Sequence, residues 1–335
     1  MSRIVLSLIM CAAAAVAQQK KIVTINAEPA LLKEFQSATS KARIVSVSAA
    51  DAAREIADAD AFIGDIKPDL VRAGKNLKWV QTMSAGVERS LHLAGGSDLR
   101  DSGIVLTNNQ IVQGPEIADH AMAMLLTMTR GILTFVEHRK IQKWQARPYP
   151  GIELRGRNAV IIGLGGIGQQ IAQRAWGFGM NVVGVDPEDI PYSPFWQRVV
   201  KPDQLNEVVP NADVVFISAP HTEKSHKMMG PQQFELMKKD SYFIAVSRGG
   251  IYDMPSLVKA LDSKKLAGAG VDVTDPEPLP EGHPLWKFDN VVVTPHIAGR
   301  SDKDRARMVS TIKENIRRFS EGQPLINVVD KQKGY

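Results

Sequence analysis

From residue 21 onward the chain alternates short, apolar, β-branched runs with longer stretches whose apolar residues recur at helical spacing. The runs Lys21–Asn26, Arg43–Ser48, Ala61–Ile63, Leu77–Met83 and Ile104–Thr107 predict strands. They are apolar over several consecutive positions, as strands buried on both faces of a parallel sheet are. This first block predicts a small open sheet of flavodoxin type. Glu116 to Trp144 then predicts one long helix, because the stretch has no Pro, a single Gly and many Ala, Met and Leu, with Pro115 at a first-turn position. Its stripe of Met122, Met124 and Met128 reads as a packing surface against a core or a partner helix.

The turn-forming run Arg147-Pro148-Tyr149-Pro150-Gly151 separates that helix from a second series. Strands are predicted at Ala159–Gly163, Asn181–Asp186, Val214–Ala219, Ser241–Ser247, Gly268–Val273 and Val291–Thr294, with helical segments between most of them. Six parallel strands with crossovers form the doubly wound, Rossmann-type nucleotide-binding arrangement. A final helix is expected from about Asp302 to Glu321. The fold class is therefore α/β, with two doubly wound parallel-sheet domains.

Composition narrows the function classes. With 335 residues, 44% hydrophobic and 23% charged, the chain is neither disordered nor fibrous, and it is long enough for two cores. The net charge of +5 is spread along the chain without a basic stripe of interleaved aromatics, so no nucleic-acid partner is expected. The one cysteine, Cys11, excludes a disulfide framework, a cysteine-ligated zinc site and a thiol nucleophile in the folded body, and no metal is expected. Residues 1–17 read MSRIVLSLIMCAAAAVA: one Arg, an apolar run from Ile4 to Val16, then Ala15-Val16-Ala17. That is the pattern of a secretory signal peptide, too short for a membrane-spanning helix, so export is expected and no stable membrane anchor. A lipid anchor on Cys11 fits less well because bulky Met10 precedes it, and the alternative location is the cytoplasm.

The first chemical motif is Asn158 to Gly168, a strand followed by G-x-G-x-x-G and a helix. Gly163 permits the tight turn, and Gly165 lets backbone approach a pyrophosphate. Gly168 allows helix and strand to pack closely, and the helix N-terminus faces the anion. Gly166 and Ile167 complete the loop. Asp186 ends the next strand, 18 residues beyond Gly168, where its carboxylate would bind an adenosine ribose and repel a 2′-phosphate. The expected cofactor is NAD, with NADH preferred over NADPH.

The later strands end in three chemically useful residues. Arg248 follows one beside Gly249 and Gly250, Glu277 lies in the acidic, Pro-rich loop after the next, and His296 closes Val291–His296. Reduction of a 2-oxo acid needs a guanidinium to grip planar oxyanions and a proton donor for the carbonyl oxygen. A carboxylate beside the histidine would hold the ring in one tautomer. His221 follows Ala219-Pro220 at a strand end, where it would border the cofactor. His92, His138, His226 and His283 carry no local pattern, and His120 sits on the long helix.

Together, GLGGIG at 163–168, SRGG at 247–250, DPEPLP at 275–280, HPLW at 283–286 and TPHIAG at 294–299 resemble the D-isomer-specific 2-hydroxyacid dehydrogenases. The run PEPLPEGHPLW is similar to that of glyoxylate/hydroxypyruvate reductase-like members, and no regulatory domain like that of the longer phosphoglycerate dehydrogenases is expected. The resemblance implies a discontinuous substrate domain (18–110 and 300–335) around an inserted NAD-binding domain (111–299), and a homodimer built through the region of the long helix. It implies His296 as acid/base, Glu277 as its partner and Arg248 as the clamp on a small 2-oxo or 2-hydroxy acid, in contact with both Arg248 and His296. Ser84, Ala85 and Gly86 match the loop whose backbone holds the substrate carboxylate. Ala219, Pro220, Thr222 and Ser225 match the segment beneath adenine and ribose. Val246, Ser247 and Gly299 match further cofactor positions, and Asp272 an acid near the nicotinamide carboxamide. Ala245 departs from the Asn common there, and Gln110–Pro115 from the usual entry into the long helix. Two readings from other classes remain open: an NAD-sensing interaction protein, since family members act as transcriptional corepressors, and a secreted binder that keeps only the fold.

Overall fold

The computed structural model describes residues 19–93, 96–147, 149 and 151–335, so the signal-like run and Cys11 lie outside the described residues. The first sheet contains β1 (Lys20–Ile25), β2 (Ala42–Val47), β3 (Ala61–Ile63), β4 (Trp79–Gln81) and β5 (Val105–Thr107). All are parallel, in the order β2-β1-β3-β4-β5. That is the flavodoxin-like strand order. The helices α1 (Pro29–Gln36), α2 (Ala52–Ile56) and α3 (Pro68–Ala73) cross between strands. In α1 and α3 a proline opens the first turn, where its missing N–H costs nothing.

After α4 (Gly114–Thr129) and α5 (Ile132–Lys140) comes the second sheet: β6 (Asn158–Ile162), β7 (Asn181–Val185), β8 (Arg198–Val200), β9 (Val214–Ile217), β10 (Ser241–Ala245), β11 (Leu266–Val271) and β12 (Val291–Val293). The order is β12-β11-β10-β9-β6-β7-β8, parallel throughout. Its crossovers include α6 (Gly166–Gly177), α7 (Leu205–Val208), α8 (Pro231–Leu236) and α9 (Met254–Asp262). The order reverses between β6 and β9, and such a switch point opens a crevice at the carboxyl ends of the strands. Apolar cores cover both faces of each sheet, which is why the strands are apolar without alternation.

The last helix, α10 (Asp304–Glu321), returns to the first sheet, burying Val309, Ile312 and Ile316 in one core with Ile22 and Trp79. A buried polar chain fastens it there: Asn315 donates to Gln81 Oε1 at 2.9 Å, and Thr107 donates to the same oxygen at 2.7 Å. The two sheets are tied by Arg307 of α10, which donates to the buried Glu116 of α4 at 2.7 Å, while Gln113 at the start of α4 donates to the Gly299 carbonyl at 2.8 Å and fastens that helix to the loop after β12. Among the described residues no helix is long and apolar enough to cross a membrane.

Two expectations need correction. The long helix from 116 to 144 is two helices, broken at Gly131, whose φ of 61° lies in the left-handed region. Glycine enters that region without steric penalty, so the chain turns there. The second sheet has seven strands rather than six. The additional β8 is an edge strand that opens on the exposed Arg198 and lies between Gln197 and Lys201, so it shows only two consecutive apolar residues and no apolar run.

Candidate active site

The glycine loop is built by close approach. Gly163 has φ 90°, and a side chain on it would meet Ala219 Cα at 2.5 Å. A Cβ on Gly168 would lie 1.9 Å from the Gly163 carbonyl, so α6 can pack on β6 only with glycine there. A Cβ on Gly165 would meet nothing within 4 Å, so no internal contact demands glycine at that position. Gly165 is the N-cap of α6, facing open space where an anion could approach the helix N-terminus. Gly166 packs on the backbone of Ile111, and Ile167 lies partly buried against the core beneath.

Asp186 is buried at the end of β7 and braces this loop. Its Oδ2 accepts from the Leu164 N–H at 2.7 Å and its Oδ1 from the Glu188 N–H at 2.9 Å. Across the crevice, buried Ser225 accepts from the Thr222 N–H and donates to the Pro220 carbonyl at 2.6 Å, locking the turn after Ala219. Val246 and Ser247 are buried beyond β10, and the Ser247 hydroxyl has no hydrogen-bond partner among the described residues. An orphaned buried hydroxyl beside an open crevice is suited to a ligand's polar group.

β10, β11 and β12 are neighbours, so Arg248, Glu277 and His296 leave adjacent strand ends. His296 Nδ1 lies 2.7 Å from Glu277 Oε1, both side chains being partly exposed. With the proton on Nδ1, the ring donates to that carboxylate and leaves Nε2 available. His296 has φ 53°, unusual for a side chain of its size, and a local network holds it there. Its N–H donates to the Asp272 carbonyl at 2.8 Å. The buried Asp272 carboxylate accepts from the Ile297 and Ala298 N–H groups at 2.9 and 3.0 Å and from Thr294 at 2.6 Å. His120, at 2.9 Å from Thr294 Oγ1, completes the group. Asp272 thus underpins the histidine loop. Gly299 closes that loop against Gln113, with no room for a side chain between them.

Arg248 reaches from the second sheet to the loop after β4. Its Nε donates to Glu88 Oε1 at 2.7 Å and its Nη1 to the Ser247 carbonyl at 2.6 Å. Nη2 lies against Gly86, where a Cβ would sit 1.9 Å from it, and makes no hydrogen bond among the described residues. The loop is itself held: Ser84 donates to the Gly86 carbonyl at 2.8 Å, and Asn108 donates to the Ala85 carbonyl at 2.7 Å. Burial pushes the Glu88 carboxyl up, but the Arg248 charge and hydrogen bond outweigh it and hold the group below its usual value. His221 stacks near His226, with ring nitrogens 3.1 Å apart, and fills the space left by Gly250. Burial, and then the nearness of His226, push it below the usual histidine value.

Glu88, an acid four residues past Ser84, is marked only weakly by the loop pattern, and no local pattern marks the pairing of His221 with His226. Arg248 and the 84–86 loop come together, as do Glu277 and His296, and the glycine loop with Asp186 and Ala219. The arrangement offers a fixed guanidinium edge and a carboxylate-held imidazole beside a crevice suited to a dinucleotide.

Residues 122–298 match the family described as D-isomer specific 2-hydroxyacid dehydrogenase, NAD binding domain. The D-3-phosphoglycerate dehydrogenase of Archaeoglobus fulgidus is 32% identical over 265 residues, covering 79% of this chain. The chain spans about half the length of that relative, 49%. The glyoxylate reductase of Korarchaeum cryptofilum is 34% identical over 235 residues, which is 69% of this chain and 70% of the relative. A D-isomer specific 2-hydroxyacid dehydrogenase from Xanthobacter autotrophicus Py2, solved with NADPH and MES, superposes with a TM-score of 0.80 at 25% identity, over 95% of this chain and 100% of its own. The chain belongs to the D-isomer specific 2-hydroxyacid dehydrogenase family.

Proposed function

We propose that the protein is an oxidoreductase that interconverts a small 2-oxo acid, of the glyoxylate or hydroxypyruvate class, and the corresponding D-2-hydroxy acid. The observation that carries this is the convergence of the Arg248 guanidinium and the Glu277–His296 pair on adjacent strand ends. Arg248 Nη2 and the backbone of Ser84, Ala85 and Gly86 clamp the substrate carboxylate, with Glu88 fixing the guanidinium from behind. His296 Nε2 gives a proton to the carbonyl oxygen, and Glu277 holds the ring and balances its charge. Asp272 and Thr294 position the histidine rather than touching substrate.

Residues 163–168 fit a dinucleotide pyrophosphate, because Gly165 leaves an open cradle at the α6 N-terminus. Ala219, Pro220, Thr222 and Ser225, with Val246, Ser247 and Gly299, would flank the rest. When bound, NAD supplies or accepts the reducing equivalent. The Xanthobacter relative was solved with NADPH, and preference for NADH here rests on Asp186, whose carboxylate would face a 2′-phosphate.

On this basis 18–110 and 300–335 form the substrate domain and 111–299 the cofactor domain. α5 buries none of its residues and leaves Ile132 and Val136 exposed, with Ile141 and Trp144 beyond it, which supports a homodimer through this region. Residues 1–17 support export, readable from the intact mass of the native protein.

The test is NADH oxidation by protein lacking residues 1–17, with glyoxylate, hydroxypyruvate, pyruvate and phenylpyruvate, each repeated with NADPH. Turnover of at least one acid, faster with NADH, is expected. No turnover of any acid by protein that binds NADH removes the proposal.

A further inference from the structure

Beyond α10 the chain does not end at the first sheet. Val329 donates its N–H to the Leu106 carbonyl at 2.9 Å, and Thr107 forms an antiparallel bridge with Val328, so this segment lies on the edge strand β5. Lys331 reaches back to the Leu99 and Ser102 carbonyls at 2.9 and 2.6 Å. From that anchor Asp330–Tyr335 forms a closed turn, Gly334 donating to Asp330 at 2.8 Å and Asp330 to Tyr335 at 3.0 Å. Its far side grips the second sheet. Lys333 Nζ and Tyr335 Oη both donate to Glu188 Oε1, at 2.7 and 2.8 Å.

Topology fixes where this turn lies. Glu188 follows β7, two residues past Asp186. Gly334 stands against Thr222, which follows β9, and against His92 of the first sheet's loops; a Cβ on it would be 3.4 and 3.3 Å from them. In the sheet order β9-β6-β7, a segment touching the loops after both β9 and β7 must cross the carboxyl end of β6. The glycine loop begins there, at the switch point where open parallel sheets bind ligands.

We propose that Asp330–Tyr335 is a strap forming the outer wall of the adenosine end of the dinucleotide site, with Lys333 and Tyr335 clasping Glu188 to hold it shut. This rests on the dinucleotide reading above and adds residues that decide how firmly the adenosine half is held. The strap's contacts to the second sheet are with the loops of Glu188 and Thr222, away from the ends of β10–β12, so it should grip ADP-ribose as it grips the whole dinucleotide and be indifferent to the nicotinamide half.

The experiment is calorimetric titration of the full chain and two variants, the double variant Lys333→Met/Tyr335→Phe and Glu188→Gln, with NADH, ADP-ribose and reduced nicotinamide mononucleotide. Both variants should weaken NADH and ADP-ribose by roughly fivefold or more, a factor within reach of losing one or two hydrogen bonds to a carboxylate. Reduced nicotinamide mononucleotide should bind as before. Unchanged or tighter ADP-ribose binding overturns the strap, as does equal weakening of the mononucleotide, which would mark a general loosening. If the unaltered chain binds neither NADH nor ADP-ribose, the dinucleotide reading itself fails and takes the strap with it.

Discussion

Gly86→Ala separates the substrate clamp from the fold. The added methyl would lie 1.9 Å from Arg248 Nη2, 2.6 Å from Glu88 Oε2 and 3.0 Å from Arg248 Cζ. Ordinary contact begins near 3.4 Å, so the guanidinium must retreat by roughly 1.5 Å, the difference between 3.4 and 1.9 Å. What obstructs the methyl is the ends of two side chains, and the Gly86 backbone is not in the left-handed region, so the fold is kept while the Arg248–Glu88 pair loosens, at about 1–3 kcal/mol. A displacement of about 1 Å at a group that places substrate can cost on the order of 100-fold in rate. The assay is kcat/KM for the acid that turns over best, measured beside NADH affinity and Tm. A fall of roughly 100-fold in kcat/KM is expected, with NADH affinity nearly unchanged and Tm lowered no further than Glu88→Gln lowers it. The clamp assignment is refuted by kcat/KM within about twofold of the unaltered protein, and equally by a parallel loss of NADH binding.

His296→Asn keeps a residue that tolerates the φ of 53° and should lower turnover by about 10²–10⁴-fold while NADH still binds, as stopped-flow fluorescence would show. Asp186→Asn keeps one acceptor oxygen for the two N–H groups of Leu164 and Glu188, so it should lose NADH preference at a smaller cost in stability than Asp186→Ala. Asp186→Ala should lose the preference and also about 1–3 kcal/mol, seen in denaturant titration, because the buried Leu164 N–H and the part-buried Glu188 N–H both lose their acceptor. The Glu88–Arg248 pair makes a signed pH prediction. The Glu88 carboxyl is held below its usual 4.5, so its contribution is present above that value and lost as pH falls through the depressed one. The Tm advantage of the unaltered protein over Glu88→Gln should therefore stay level from neutral pH to about 4.5 and shrink below it. An advantage that persists undiminished into strong acid would contradict the pairing.

What the sequence displays follows from how strongly each element depends on local chemistry. β6, its glycine turn and α6 are legible because the close approaches at Gly163 and Gly168 admit no other residue. The buried parallel strands declare themselves as unbroken apolar runs, and Arg248, Glu277 and His296 declare themselves by following such runs. The break at Gly131 is hidden because one glycine in a helical pattern is tolerated as often as it turns the chain. Glu88 is hidden for another reason: its partner is 160 residues away, and only the closing of one sheet's loops on the other brings them together. Asp272 and Asp186 show the converse, since both sit where a ligand contact is expected, yet their carboxylates are largely taken up by backbone N–H groups. A strand-end acid can serve the loop as well as the ligand, and the sequence does not distinguish the two.

The most direct test of the central claim is the configuration of the product. Hydroxypyruvate is incubated with NADH and the protein lacking residues 1–17, and the glycerate formed is resolved on a chiral column. D-glycerate, formed in step with NADH oxidation and abolished by Arg248→Gln, is the predicted result. L-glycerate, a racemate, or D-glycerate formed equally well by Arg248→Gln would contradict a site in which Arg248 and His296 fix one face of the 2-oxo acid.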